Sequence, residues 1–169
     1  MHILPSLRRR ARRNAVGLLL TTCAVALPTL VMAADNMAAD IVTRQIVGAA
    51  FDDVALAVVD SISAEGITPP SVSHFGDMLR RTAPDLGHPP ALFTDARIYT
   101  FCSAAAAARL SIESAHQIAL CPLSIAVYQL APEPSVIHLG YRRSAASAGG
   151  AEVDALLERI VERAARDLQ

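Results

Sequence analysis

Five arginines crowd the first 13 residues, Arg8, Arg9, Arg10, Arg12 and Arg13, ahead of an apolar run that starts at Ala15 and closes on Val31-Met32-Ala33. A charged start, an apolar middle and a small-residue exit are the three parts of a secretory signal. Residues 1–33 are therefore expected to be cleaved off after Ala33, and the fold must come from what remains. Pro28 supports cleavage, because it breaks a helix just before the exit and leaves an extended stretch that a peptidase can hold. The apolar run is nearly long enough to span a bilayer at about 1.5 Å per helical residue, so an uncleaved anchor is the other reading. A lipid on Cys23 fits poorly, since Thr22 is larger than the residue usual at that place, and Arg12-Arg13 lacks the surroundings of a twin-arginine signal. The mature chain is expected in the periplasm or secreted, touching a membrane only through its leader.

The leader carries 5 of the 15 basic residues and none of the 16 acids, which leaves 10 against 16 and a net charge of −6. Nucleic acid requires a basic face, so nucleic-acid partners are excluded from the expectation. The 136 mature residues are the usual size of one domain, enough to bury roughly two-thirds of the unfolded surface. With no Trp and few aromatics the core must be aliphatic.

Residues 34–39 read as a flexible lead-in, and residues 40–143 as one α+β domain. Within it, residues 41–47 are β-branched and alternate as a strand does. Phe51, Val54, Val58 and Ile62 recur on one side of a helix that Gly66 can close. Pro69-Pro70 demotes residues 71–75 to an edge strand, residues 77–83 read as a short helix ending at Pro84, and residues 84–95 read as a loop. A strand is expected over 96–101, an alanine-rich helix over 103–110 and a shorter helical piece over 113–120. Residues 124–130 and 136–141 form a hairpin across 131–135. Residues 144–150 read as a linker to a C-terminal amphipathic helix, 151–169, whose Val153, Leu156, Leu157, Ile160, Ala164 and Leu168 share the face that packs on the domain. The economical architecture is a mixed sheet of four to five strands with helices mainly on one face, and ferredoxin-like topology is the leading expectation.

Beyond the leader two cysteines remain, Cys102 and Cys121. In an oxidising compartment an even pair invites a disulfide. A parallel crossover between the strands that flank them would place the two at opposite ends of the sheet, whereas a bridge tolerates only about 4.4–6.8 Å between Cα atoms. Cys102 also stands where a strand gives way to a helix N-terminus, whose exposed N–H groups suit a redox or metal-binding thiol. A packed, inert cysteine is the third reading. His116, five residues before Cys121, completes a candidate soft ligand set of Cys102, Cys121 and His116 for copper or zinc, with a spacing that matches no tight metal signature. His74, His88 and His138 read as structural or solvated, and no acid pair, Gly-rich phosphate loop or serine-nucleophile motif stands out, so no catalytic residue and no cofactor is assigned.

Three segments, Phe101-Cys102-Ser103-Ala104, residues 119–128 from Ala119 through Cys121-Pro122 to Tyr128, and Gly140-Tyr141-Arg142, together with the Phe51-Asp52-Asp53-Val54 helix and Gly66, resemble the domain-of-unknown-function family 302 (DUF302). The resemblance covers most of residues 51–142. It implies a compact bacterial and archaeal α+β domain, often a homodimer, with no settled reaction. The proline-rich segment 84–95 and the helix after Gly150 stand out as extensions of that form. The function expected is that of a non-enzymatic accessory domain binding a small ligand or a protein; the alternative is a thiol redox or metal-handling protein using Cys102 and Cys121.

Overall fold

The computed structural model describes residues 40–88, 92–144 and 146–168. The expected signal peptide and lead-in lie outside the described residues. The elements run β1 (Ile41–Val47), α1 (Phe51–Ala64), β2 (Ser71–Ser73), α2 (Phe75–Leu86), β3 (Phe93–Phe101), α3 (Ala104–Glu113), a 3-10 helix (Ala115–Leu120), β4 (Leu123–Leu130), β5 (Val136–Arg142) and α4 (Ala148–Arg166). No described helix is long and apolar enough to cross a membrane.

The five strands form one sheet in the order β1-β5-β4-β3-β2, and every neighbouring pair is antiparallel. The α+β class, the strand number and the terminal helix match the sequence reading; the mixed strand directions and the ferredoxin-like order do not. A parallel crossover needs its connection to run back to the opposite end of the strands. Here α3 runs out, Ser114 takes an extended backbone, and the 3-10 helix returns against α3, so the chain re-enters the sheet where it left it. Phe101 and Leu123 are consequently paired, and β2 to β5 form a meander with β1 added beyond β5. A ferredoxin-like sheet is instead built from split β-α-β halves.

Alternation then divides the sheet into two faces. On the core face lie Tyr99, Ile125, Val127, Ile137, Leu139 and Tyr141, all buried. This face is covered by α1 through Val54, Val58 and Ile62, and by α4 through Val153, Leu157 and Ile160, each at most 2% exposed. The helical spacing read from the sequence thus gave the buried stripe of both long helices. Ser147 caps α4 by accepting from the Gly150 amide at 3.0 Å, so the helix begins at Ala148, inside the stretch expected as a linker, and Gly149 and Gly150 are buried in its first turn. Ion pairs fasten the rim: Arg44 of β1 to Glu162 of α4 at 3.5 Å, and Arg97 of β3 to Asp52 of α1 at 2.7 Å.

Among the described residues, α2 is the one helix on the opposite face, lying along β3. It starts two residues earlier and ends three later than its expected bounds, with Pro84 inside it. Proline removes one helical hydrogen bond, but Pro84 falls in the last turn, where the Gly87 amide bonds back to the Ala83 carbonyl at 2.9 Å and Ala83 is 4% exposed. Anchoring by that buried alanine carries the helix past the proline. Likewise β3 begins at Phe93, inside the expected loop, because β4 offers Leu130 and Gln129 as partners to Phe93 and Asp95.

Candidate functional site

Two places in the domain gather chemistry: a groove on the helix-poor face of the sheet and a thiol pair at one end of it. The groove follows from β4. Between Ser124 and Gln129 it is apolar on both faces, Ile125 and Val127 toward the helices and Ala126 and Tyr128 away from them, with Leu130 continuing the second face. A strand apolar on both sides belongs in a sheet covered on both faces, yet α2 reaches only as far as β3. The result is an open trough of about 440 Å³ walled by Phe75, Phe93, Ala96, Ile98, Tyr128 and Leu130.

Glycines set its shape at two points. Gly76, in the first turn of α2, packs directly on β3, where a Cβ would come within 2.9 Å of the Ala96 amide nitrogen. Only glycine permits that approach, and it sets the neighbouring Phe75 at the rim. Gly140 lies under Tyr128, whose Cε1 would be 3.3 Å from a Cβ there. The rings then form a chain: Phe75 meets Phe93 edge-on with centroids 6.3 Å apart, Phe93 meets Tyr128 edge-on at 5.9 Å, and Tyr128 stacks on His138 at 4.9 Å. Offset and edge-to-face pairs of this kind add about 0.5–1.5 kcal/mol each beyond the area they bury. Burial pushes the Tyr128 hydroxyl above its ordinary pKa of 10.0. His138 is 6% exposed, and its Nε2 lies 3.3 Å from the Glu133 carboxylate without hydrogen-bond alignment. The groove continues toward β1 as a shallower apolar strip over Ala126, Gly140 and Ile41, about 210 Å³ in volume.

A second depression of about 460 Å³ lies between α3 and α4. Its rim is charged, and the charges are already paired, Arg109 with Glu152 at 3.3 Å and Arg159 with Glu65 at 3.4 Å. Surface pairs of that type contribute little to stability.

The antiparallel return between β3 and β4 places the cysteines at the same end of the sheet, one residue after Phe101 and two before its partner Leu123. Both thiols are free, Cys102 exposed and Cys121 half-buried against the edge of the core. Burial pushes the Cys121 thiol above its ordinary value, and the adjacent Cys102 side chain pushes it further. Ser103 caps α3 through the Ala106 amide at 3.3 Å and so fixes the backbone beside Cys102. His116 stands exposed on the 3-10 helix. Among the described residues no group of three or more His, Cys, Asp or Glu side chains is placed to hold a metal ion, so the structure brings together the two cysteines and not the third residue of the candidate set. His74, the N-cap residue of α2, is exposed, whereas His138 is buried beneath Tyr128.

Sequence reasoning missed Phe75, Phe93 and Tyr128 as a group. The available signal was the two-sided apolarity of residues 123–130, which marks a strand with something to cover on its second face.

No protein-family model matches the chain, and no curated protein matches it. Among solved structures it is similar to the uncharacterized conserved protein DUF302 from Bacillus stearothermophilus, at 20% sequence identity and a TM-score of 0.52, over 76% of this chain and 95% of that one. With five antiparallel strands, helices on the core face and a C-terminal helix, the chain has a DUF302-like α+β fold.

Proposed function

We propose that the mature chain is an exported, non-enzymatic binding domain that takes a small apolar ligand with a planar or aromatic part into the groove between α2 and β4. The observation that carries this reading is the groove itself: about 440 Å³ of mostly apolar space, with Arg97 among its lining residues and three aromatic rings in edge contact along it. Small-molecule sites are concave, mostly apolar and about 300–1,000 Å³ in volume. What the walls offer a ligand is burial and ring contact rather than proton or group transfer. The three-part leader supports export, and the net charge of −6 beyond it disfavours polyanionic partners.

The test is a fluorescence titration with 8-anilinonaphthalene-1-sulfonate on the folded exported protein, against an Ala126→Arg variant. Ala126 is a half-buried groove residue, and its neighbours Ile125 and Val127 keep the core face intact. Saturable one-to-one binding that Ala126→Arg weakens at least tenfold is the expected result. Equal binding by both proteins contradicts the groove as the site.

A further inference from the structure

We propose that Cys102 and Cys121 form a reversible dithiol–disulfide couple, in which the exposed Cys102 exchanges with an external disulfide and the half-buried Cys121 resolves it. The argument begins with the register. Because Phe101 pairs with Leu123, the chain leaving β3 and the chain entering β4 are held side by side, with Cys102 the first residue beyond the ladder on one strand and Cys121 the second on the other. The β3–β4 pairing fixes one side of this arrangement, and the Ser103 cap of α3 fixes the other. Exposure then separates the roles. A disulfide of the glutathione class can reach Cys102, while Cys121 packs against the core cluster, with the Cys102 side chain beside it. Exchange depends on access as well as on thiolate fraction, and desolvation, which holds the Cys121 proton more firmly, reinforces the assignment.

The step balances as an exchange. The Cys102 thiolate attacks one sulfur of the incoming disulfide, forms a mixed disulfide and releases one thiolate. The Cys121 thiolate then attacks the Cys102 sulfur, closes the Cys102–Cys121 bond and releases the second thiolate. The protein loses two electrons and two protons; the external disulfide gains them as two thiols. Closing the bond ties β3 to β4 across the whole α3 and 3-10 excursion, so the oxidised form is expected to be the more heat-resistant. The groove reading is not required for any of this.

The experiment equilibrates the exported protein with mixtures of reduced and oxidised glutathione, followed by acid quench and intact mass. The expected wild-type result is loss of two hydrogens, reversed as reduced glutathione is raised, with a higher Tm for the oxidised form. Cys121→Ser is expected to trap one glutathione on Cys102 at least tenfold faster than Cys102→Ser traps it on Cys121. Thiols that stay free at every ratio overturn the proposal, as does a bridge that glutathione cannot reopen, or equal trapping by the two variants. The wild-type arm decides the matter should a variant fail to fold.

Discussion

Tyr128 lies flat on His138, the ring centroids 4.9 Å apart and the planes 9° from parallel, and the two are direct cross-strand partners in the β4–β5 ladder. The stack rests beside Gly140, whose missing side chain leaves room for the tyrosine ring. Adding a methyl there brings it to 3.3 Å from Cε1, and the half-buried ring is able to yield. Gly140→Ala is accordingly expected to change stability by no more than about 1 kcal/mol while lowering dye affinity several-fold, because the ring that yields is a wall of the groove. Urea unfolding and the fluorescence titration, run on one preparation, separate the two effects.

Gly76→Ala is expected to behave oppositely. The new Cβ would meet the Ala96 amide nitrogen at 2.9 Å, and backbone on both sides resists displacement. Overpacking of this kind costs about 1–3 kcal/mol. A lower urea midpoint should accompany weaker dye binding, since α2 must back away from β3 and take Phe75 with it.

Acid should loosen the start of the C-terminal helix. Ser147, then the Gly149 amide at 2.6 Å, bond the Glu113 carboxylate and hold its pKa below the ordinary 4.5. A depressed carboxylate contributes stability that is present above the unfolded pKa and is lost as pH falls through the folded one. The Tm of the wild type should therefore drop below about pH 4.5, and Glu113→Gln should flatten that drop while lowering Tm near neutrality. A pH series of thermal melts reads both.

The alkaline limb has the reverse sign. Burial raises Tyr128 and Tyr141 above 10.0 and Cys121 above 9.0. The unfolded chain gives up these protons first, so stability is full below the unfolded values and is lost as pH rises through the folded ones. Tyr128→Phe is expected to retain more of its neutral-pH Tm in this range than the wild type does, and near-ultraviolet tyrosinate titration should show Tyr128 ionising later than free tyrosine.

How far the sequence foretold this domain depends on the range of the forces involved. The one-sided spacing of Val54, Val58 and Ile62, and of Val153, Leu157 and Ile160, is a local property, and both stripes are buried as read. Pro84 and Phe93 read as loop because what places them is tertiary: the burial of the neighbouring Ala83 in the one case, and pairing with the distant Leu130 of β4 in the other. Strand direction turned on whether the segment between the cysteines crosses the sheet or doubles back. No spacing encodes that, and it is what brought Cys102 and Cys121 together while leaving His116 outside. The groove depends on how little of the second sheet face α2 covers, a tertiary outcome that the two-sided apolarity of β4 only announces.

The most direct measurement is amide chemical-shift mapping of the isotope-labelled mature protein during titration with 8-anilinonaphthalene-1-sulfonate. The expected result is saturable shifts confined to Phe75, Phe93, Ala96, Ile98, Tyr128 and Leu130 and their immediate neighbours. Shifts centred on α1 and α4, or none at concentrations that saturate the fluorescence, would contradict the groove as the binding site.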